Sequence, residues 1–209
     1  MAVEIRDVAP GLWIWRQEHP DWHPGVGWEG PVTSTRVESG GELGLLDPLA
    51  PADDAADFWQ RLDAHPPTFA VVLKPDHVRN VDLFVRRYGI PAFGPDLFFA
   101  GDAPETELAW IGEGSELPGG LLALHDGRGR NETPLWLPEQ RALVFADGLT
   151  APGGELRVWW TPWHEKRVIP ALTELLELPF ELVIVSHGEP VHDRAEFVRA
   201  LERAPYRES

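Results

Sequence analysis

Short apolar runs of period two and longer stretches of helical period alternate along this chain, and the two periods separate strands from helices. Residues 11–17 (GLWIWRQ) and 32–39 (VTSTRVES) alternate well enough to be strands, joined by a loop at 19–31 rich in Trp, His, Pro and Gly. Gly40-Gly41 turns the chain into a short apolar strand, 43–46, that ends at Asp47-Pro48. Residues 52–64 carry Ala56, Phe58, Trp59 and Leu62 at helical spacing, with Asp53 and Asp54 near the end where the helix dipole favours them. The run 68–73 is continuously apolar, as expected of a strand covered on both faces. Val78, Val81, Phe84, Val85 and Tyr88 then share one helix face, stopped by Gly89, before a short strand at 90–93.

The second half repeats the theme. Residues 101–120 are acidic, rich in Gly and Pro, and expected on the surface. Strands are expected at 121–125, 135–137 and 142–145, with a tight turn at 138–140, then a helix at 165–178, a buried strand at 181–186 and a terminal helix at 193–203. Strands followed by helices, twice over, indicate a layered α/β domain. The segments LGLLDPLAP (43–51) and LVFADGLTAP (143–152) echo one another, as an internal duplication would.

Composition narrows the function. The 209 residues fit a single domain, 1–209, with an ordinary apolar fraction of 43%. No apolar run approaches the ~20 residues of a membrane span, and the first residues carry no basic head or apolar core, so a cytoplasmic location is expected. With no cysteine, a metal would have to sit on His, Asp or Glu. A net charge of −16 argues against nucleic acid and anionic membranes as partners, leaving a small-molecule ligand or a second copy of the chain in a homo-oligomer. Neither a glycine-rich nucleotide loop nor a Gly-x-Ser-x-Gly elbow is present.

Candidate chemistry gathers where strands end. In VVLKPDHVRN (71–80) a β-branched run gives way to Lys74-Pro75 and then Asp76-His77. In LPEQRALVFADGL (137–149) a strand ends at Asp147, and the last strand ends at Ser186-His187-Gly188. Each has a plain structural use as well: Asp76 is placed as a helix N-cap, and Asp147 before Gly148 as a turn residue.

Taken in order, LGLLDP, Asp76-His77, the hairpin ending at Asp147 and the strand ending at His187 resemble the metallo-β-lactamase superfamily over about residues 8–191. The resemblance implies a four-layer αββα sandwich. It also implies a degenerate centre, because the family's His-x-His-x-Asp-His motif is reduced to Asp76-His77, with Val72 and Lys74 at the leading histidine positions. Arg128, in GRGRNE, stands where the family has the histidine of Pro-Gly-His. Those three replaced positions make one metal site in the family, while Asp76, His77 and His187 make the other, with Asp147 between them. The expected metal set is therefore Asp76, His77, Asp147 and His187, holding one divalent ion (zinc, iron or manganese), or none, with an ion pair such as Lys74–Asp147 in its place.

Two functions are compatible with this pattern. The first is a non-catalytic or weakly active binding protein with a Trp-lined pocket shaped by Trp22, His23, Trp28, Trp163 and His164. The second is a mononuclear metal-dependent hydrolase of a small ester, amide or phosphoester, with Asp147 as ligand or proton acceptor and Lys74 or Arg128 stabilising an oxyanion.

Overall fold

Two mixed sheets face each other across an apolar seam, and helices cover the outer face of each. The structure is a computed structural model that describes residues 3–99, 101–129 and 132–207. The first sheet runs in chain order: β1 (Glu4–Ala9), β2 (Leu12–Glu18), β3 (Pro31–Ser39), β4 (Glu42–Leu46), β5 (Phe69–Val71), β6 (Ala92–Gly94) and β7 (Ala109–Trp110). Its first four strands are antiparallel, and β5, β6 and β7 add in parallel. Helices α1 (Ala56–Ala64) and α2 (Val81–Tyr88) are the crossovers that parallel pairing requires.

The second half builds β8 (Glu116–Leu117), β9 (Leu121–Ala123), β10 (Leu135–Leu137) and β11 (Ala142–Val144), then a two-stranded ribbon, β12 (Leu149–Thr150) and β13 (Arg157–Val158). Helix α3 (Ile169–Glu174) leads to β14 (Leu182–Ile184), which pairs in parallel with β11, and α4 (Arg194–Glu202) closes the fold, capped by the Asp193 carboxylate on the Ala195 N–H at 2.8 Å.

Three buried apolar clusters make four layers. Leu12, Ile14, Leu46 and Val71 of the first sheet meet Leu121, Leu135, Leu137, Val144 and Ile184 of the second. Trp13 and Trp15, alternating with Leu12 and Ile14 along β2, point the other way and pack under Phe58, Leu62 and Phe84 of α1 and α2. Leu143, Phe145 and Val183 pack under Leu172 and Phe197 of α3 and α4. Full burial of such side chains contributes about 1.5–3 kcal/mol each. Trp13, Trp15, Trp59 and Trp136 are thus core residues.

The sandwich is the expected αββα arrangement, with local departures that have physical causes. Helix α2 begins at Val81, after an irregular turn in which Arg79 adopts a left-handed φ of 45°. Asp76 is therefore not its N-cap, and His77 precedes rather than opens the helix. The expected helix at 165–178 is broken into a wide turn, His164–Val168, then α3 and a tight turn, Leu175–Glu177. Pro170 has no N–H to return to the preceding turn, which accounts for the wide winding there. Strands β1, β12 and β13 and the short β7 and β8 inside the acidic surface segment were not expected. The internal echo has a topological counterpart: β3-β4-β5 and β10-β11-β14 are each an antiparallel pair followed by a parallel strand. Among the described residues no helix is long and apolar enough to cross a membrane.

Candidate functional site

The carboxyl ends of the parallel strands point to one place, the position where layered α/β folds assemble their sites. Asp47 follows β4, Lys74 to His77 follow β5, Asp147 follows β11, and His187 follows β14. Asp47 turns the chain with a left-handed φ of 46°, uncommon for a residue other than Gly or Asn. Its carboxylate holds the next strand end, accepting the Leu73 N–H on Oδ1 and the His77 Nδ1–H on Oδ2, both at 2.7 Å. His77 is thereby fixed with Nε2 facing the cleft.

Asp147 is shared between two kinds of partner. Its Oδ2 lies 2.6 Å from the Lys74 ammonium, which also holds Asp76 Oδ2 at 2.6 Å. Its Oδ1 is buried, accepts no well-formed hydrogen bond, and lies 3.4 Å from Nε2 of both His77 and His187. Burial alone would discourage ionisation of Asp147, but His77, His187 and Lys74 hold its carboxyl well below the usual range. Burial likewise opposes a charge on His77, yet the Asp147 and Asp47 carboxylates outweigh it and raise the imidazole to about 9 when no ion is bound. The same balance, with Asp147 and Asp76, keeps Lys74 charged and above its ordinary value.

These atoms suit a metal ion. Among the described residues, His77, Asp147 and His187 form the one His/Asp/Glu group whose ligand atoms all lie within 4.8 Å of one another. Two ligands on a tetrahedral zinc ion, at 2.0–2.1 Å, stand about 3.4 Å apart, the separation found from Asp147 Oδ1 to each imidazole. Two imidazoles and one carboxylate leave coordination positions open, as in catalytic zinc sites. The Asp47–His77 bond is the outer carboxylate that such histidines commonly have. His187 has no equivalent: its Nδ1 is buried without a partner, and the Trp28 and Trp159 rings, 5.2 and 6.1 Å away, hold the imidazole instead.

A cleft of about 400 Å³ opens over this group. His19 and Trp28 form one wall, Trp159, Trp160 and Thr161 the other, and Lys74 and Asp76 line the rim beside Asp147. The C-terminal segment ties the walls together. Tyr206 pairs with the wall strand through its N–H to Val158 O and its carbonyl to the Trp160 N–H, both at 2.8 Å, while its hydroxyl donates to Gly27 O at 3.0 Å. Tyr206→Phe is expected to cost about 1 kcal/mol in denaturant unfolding; an unchanged midpoint would mean the hydroxyl bond does not form in solution.

Neither a family model nor a curated protein sequence matches the chain. Solved structures do. The DIM-1 metallo-β-lactamase aligns over 96% of this chain and 95% of its own, with a TM-score of 0.70 and 14% sequence identity. The chain has the metallo-β-lactamase fold. The FIM-1 metallo-β-lactamase from Pseudomonas aeruginosa, in its mono-zinc form, shares that fold over 97% of this chain and 96% of its own, at a TM-score of 0.67 and 18% identity. So does the Flv1 flavodiiron core from Synechocystis sp., over 96% of this chain and 60% of that one, at a TM-score of 0.67 and 16% identity.

Within this metallo-β-lactamase fold, three of the four expected metal residues, His77, Asp147 and His187, come together. Asp76 lines the cleft, but its carboxylate turns to Lys74. Of the residues expected to act in catalysis, Lys74 and Asp147 are paired with each other. Arg128 borders the cleft, and its Nη2 donates to the carbonyls of Gly148 and Trp159 at 3.0 and 2.7 Å. Of the five residues expected to shape the pocket, Trp28 lines it. Trp22 stands behind, packed on Gly30 and donating its indole N–H to Trp28 O at 2.9 Å. His23 is exposed beside Pro24, Trp163 is exposed, and His164 is buried away from the cleft.

Sequence reasoning did not single out Asp47, Arg79, Glu132, Trp159, Trp160 or Thr161 as site residues, and it gave His19 no role in the wall. One signal was available: Asp47 occupies the place in the internal echo that Asp147 occupies in its second copy, and the two carboxylates face opposite nitrogens of the same imidazole. Arg130 and Asn131 of the GRGRNE segment lie outside the described residues.

Proposed function

We propose that this chain is a single-ion binding protein on the metallo-β-lactamase fold, holding a divalent cation with His77, Asp147 and His187 and a small anionic molecule in the Trp-walled cleft above it. The observation that carries the reading is the division of the Asp147 carboxylate. Lys74 occupies Oδ2, and Oδ1 is left buried and unpartnered between two imidazole nitrogens. Lys74 thus supplies a fixed positive charge beside the ion, and the ion-pair and metal alternatives open from the sequence are combined at one residue.

Charge favours an anionic ligand. Lys74, Arg79 and Arg128 border the cleft against two carboxylates, Asp76 and Asp147, before any ion is counted, in a chain whose net charge is −16. The Trp28, Trp159 and Trp160 surfaces suit an apolar or aromatic body on that ligand.

A bound divalent ion supplies Lewis acidity and lowers the pKa of bound water towards ~7. The protein groups around it favour binding over turnover. Asp76 and Asp147, the carboxylates nearest the cleft, both pair with the Lys74 ammonium, which lowers the basicity of each. Arg128 directs hydrogen bonds to backbone carbonyls, Arg79 to carbonyls and serine hydroxyls, and Lys74 to two carboxylates, so all three cations are engaged before a ligand arrives. The mononuclear hydrolase remains the second reading, favoured by the exposure of Asp76 at the rim, 37% of its side chain.

Metal analysis of protein purified without chelator is expected to find about one zinc, iron or manganese ion per chain, lost in His187→Ala and Asp147→Ala. Less than about 0.1 ion per chain, together with no thermal stabilisation on adding metal, would overturn the reading. Turnover of a panel of esters, amides and phosphoesters by the metal-loaded protein, abolished in Asp76→Asn, would favour the hydrolase instead.

A further inference from the structure

Behind the cleft, the peptide run that presents Asp147 is gripped from both sides by buried charge. Glu132 accepts three successive amides: Ala146 N–H on Oε1 at 2.9 Å, then Asp147 N–H and Gly148 N–H on Oε2 at 2.9 and 2.6 Å. Consecutive amides of this kind form a concavity that binds anions, and here an internal carboxylate fills it. The carbonyl side of the same run faces Arg128, whose Nη2 reaches Gly148 O and Trp159 O, with Nη1 at 3.5 Å from Asp147 O. Asp126 stands beside that guanidinium: its Oδ1 accepts the Arg128 backbone N–H at 2.8 Å, and its Oδ2 lies 3.3 Å from Arg128 Nε, an ion-pair contact without a formed hydrogen bond. Gly148 leaves the space for both carboxylates, since a Cβ there would sit 3.1 Å from Asp126 Oδ2 and from Glu132 Oε1.

A turn does not need this. Asp126 and Glu132 are 0% and 2% exposed, and burying ionisable groups costs several kcal/mol each unless the geometry returns it. What the arrangement achieves is placement: it ties Asp147 at the floor of the cleft to Trp159 in its wall.

We propose that Arg128 and Glu132 are a positioning pair, clamping residues 146–148 by their carbonyls and amides so that Asp147 meets the two imidazoles and Trp159 stands over them. In this role Arg128 acts on the site through the backbone. The consequence for metal affinity rests on the single-ion reading above; the clamp itself does not.

The test uses the full chain with Arg128→Lys, which keeps the charge beside Asp126 but lacks the planar fork, and Glu132→Gln as a second variant. Zinc affinity, measured by chelator competition, is expected to fall about 10- to 100-fold in each, with an altered cobalt(II) absorption spectrum. In the metal-free variants, amide exchange should accelerate at residues 146–148 while the β4 amides keep their protection. Zinc affinity within about twofold of wild type and unchanged exchange at 146–148 would overturn the proposal. If the wild-type chain takes up no metal, the single-ion reading fails and the exchange data alone decide the clamp. Should both variants fail to fold, the wild-type chain still tests it: the Asp147 and Gly148 amides should be protected like core strands, and rapid exchange there refutes the clamp.

Discussion

Replacing Arg79 by methionine is expected to destabilise the protein by roughly 3–5 kcal/mol, because several hydrogen bonds from one guanidinium to carbonyl and hydroxyl oxygens are lost together. The side chain starts from a strained left-handed residue and runs beneath the candidate centre. Its Nη1 donates to the carbonyls of Thr33 and Asp47, at 2.8 and 2.7 Å, and approaches Ser34 Oγ at 3.3 Å; Nη2 donates to Ser186 Oγ at 2.6 Å. One guanidinium therefore joins β3, the end of β4 and the end of β14, fastening the two sheets where the ligands emerge. Methionine preserves much of the packing volume and removes every one of these bonds. For a domain of this size the melting temperature should fall by roughly 10 °C. A loss below about 0.5 kcal/mol in urea unfolding would show that the network is an adornment and that packing alone holds the sheets. Because Asp47 orients His77, the same variant should also weaken metal uptake, even under conditions where it remains folded.

What the sequence made legible and what it hid follow from the range of the interactions involved. Strands and helices with a clean apolar period, such as Leu135–Leu137 and the face of Val81, Phe84 and Tyr88, were visible because burial is written locally. The order of strand-terminal Asp and His residues carried the fold, and the structure places His77, Asp147 and His187 side by side at three strand ends. Residues chosen by local richness fared less well. The 159–164 segment is full of aromatics, but Trp159 and Trp160 line the cleft while Trp163 is exposed, a distinction that goes with the tertiary pairing of Tyr206 with Val158 and Trp160 and not with local composition. Arg79 and Glu132 were illegible for a related reason, and Arg128 was singled out for the cleft without its bonds to backbone carbonyls. Their work is on backbone groups far away in sequence, as with Glu132 on residues 146–148, and no local pattern encodes a partner of that kind.

The metal-free protein is expected to lose stability as pH rises from about 6.5 to about 9, and bound zinc should largely abolish that loss. The His77 imidazole, opposed by burial but held by Asp147 and Asp47, titrates at about 9 in the folded chain against an ordinary 6.5. A folded-state pKa above the unfolded value means that the native state binds the extra proton. The stabilisation is then complete below about 6.5 and disappears as pH passes through about 9. Its ceiling is about 3 kcal/mol. A divalent ion on Nε2 of His77 takes the place of the proton, so zinc should bind more tightly with each pH unit gained below about 9 and should flatten the stability profile. Urea unfolding at pH 6, 7.5 and 9, with and without zinc, measures both effects, and the imidazole NMR signals of His77 locate the titration directly. A flat metal-free profile with His77 titrating near its ordinary value would mean that Asp47 and Asp147 do not hold a cation between them. The feature shared by the proton, the ion and Lys74 would then be lost: two carboxylates from the two halves of the fold, arranged so that positive charge must lie between or beside them.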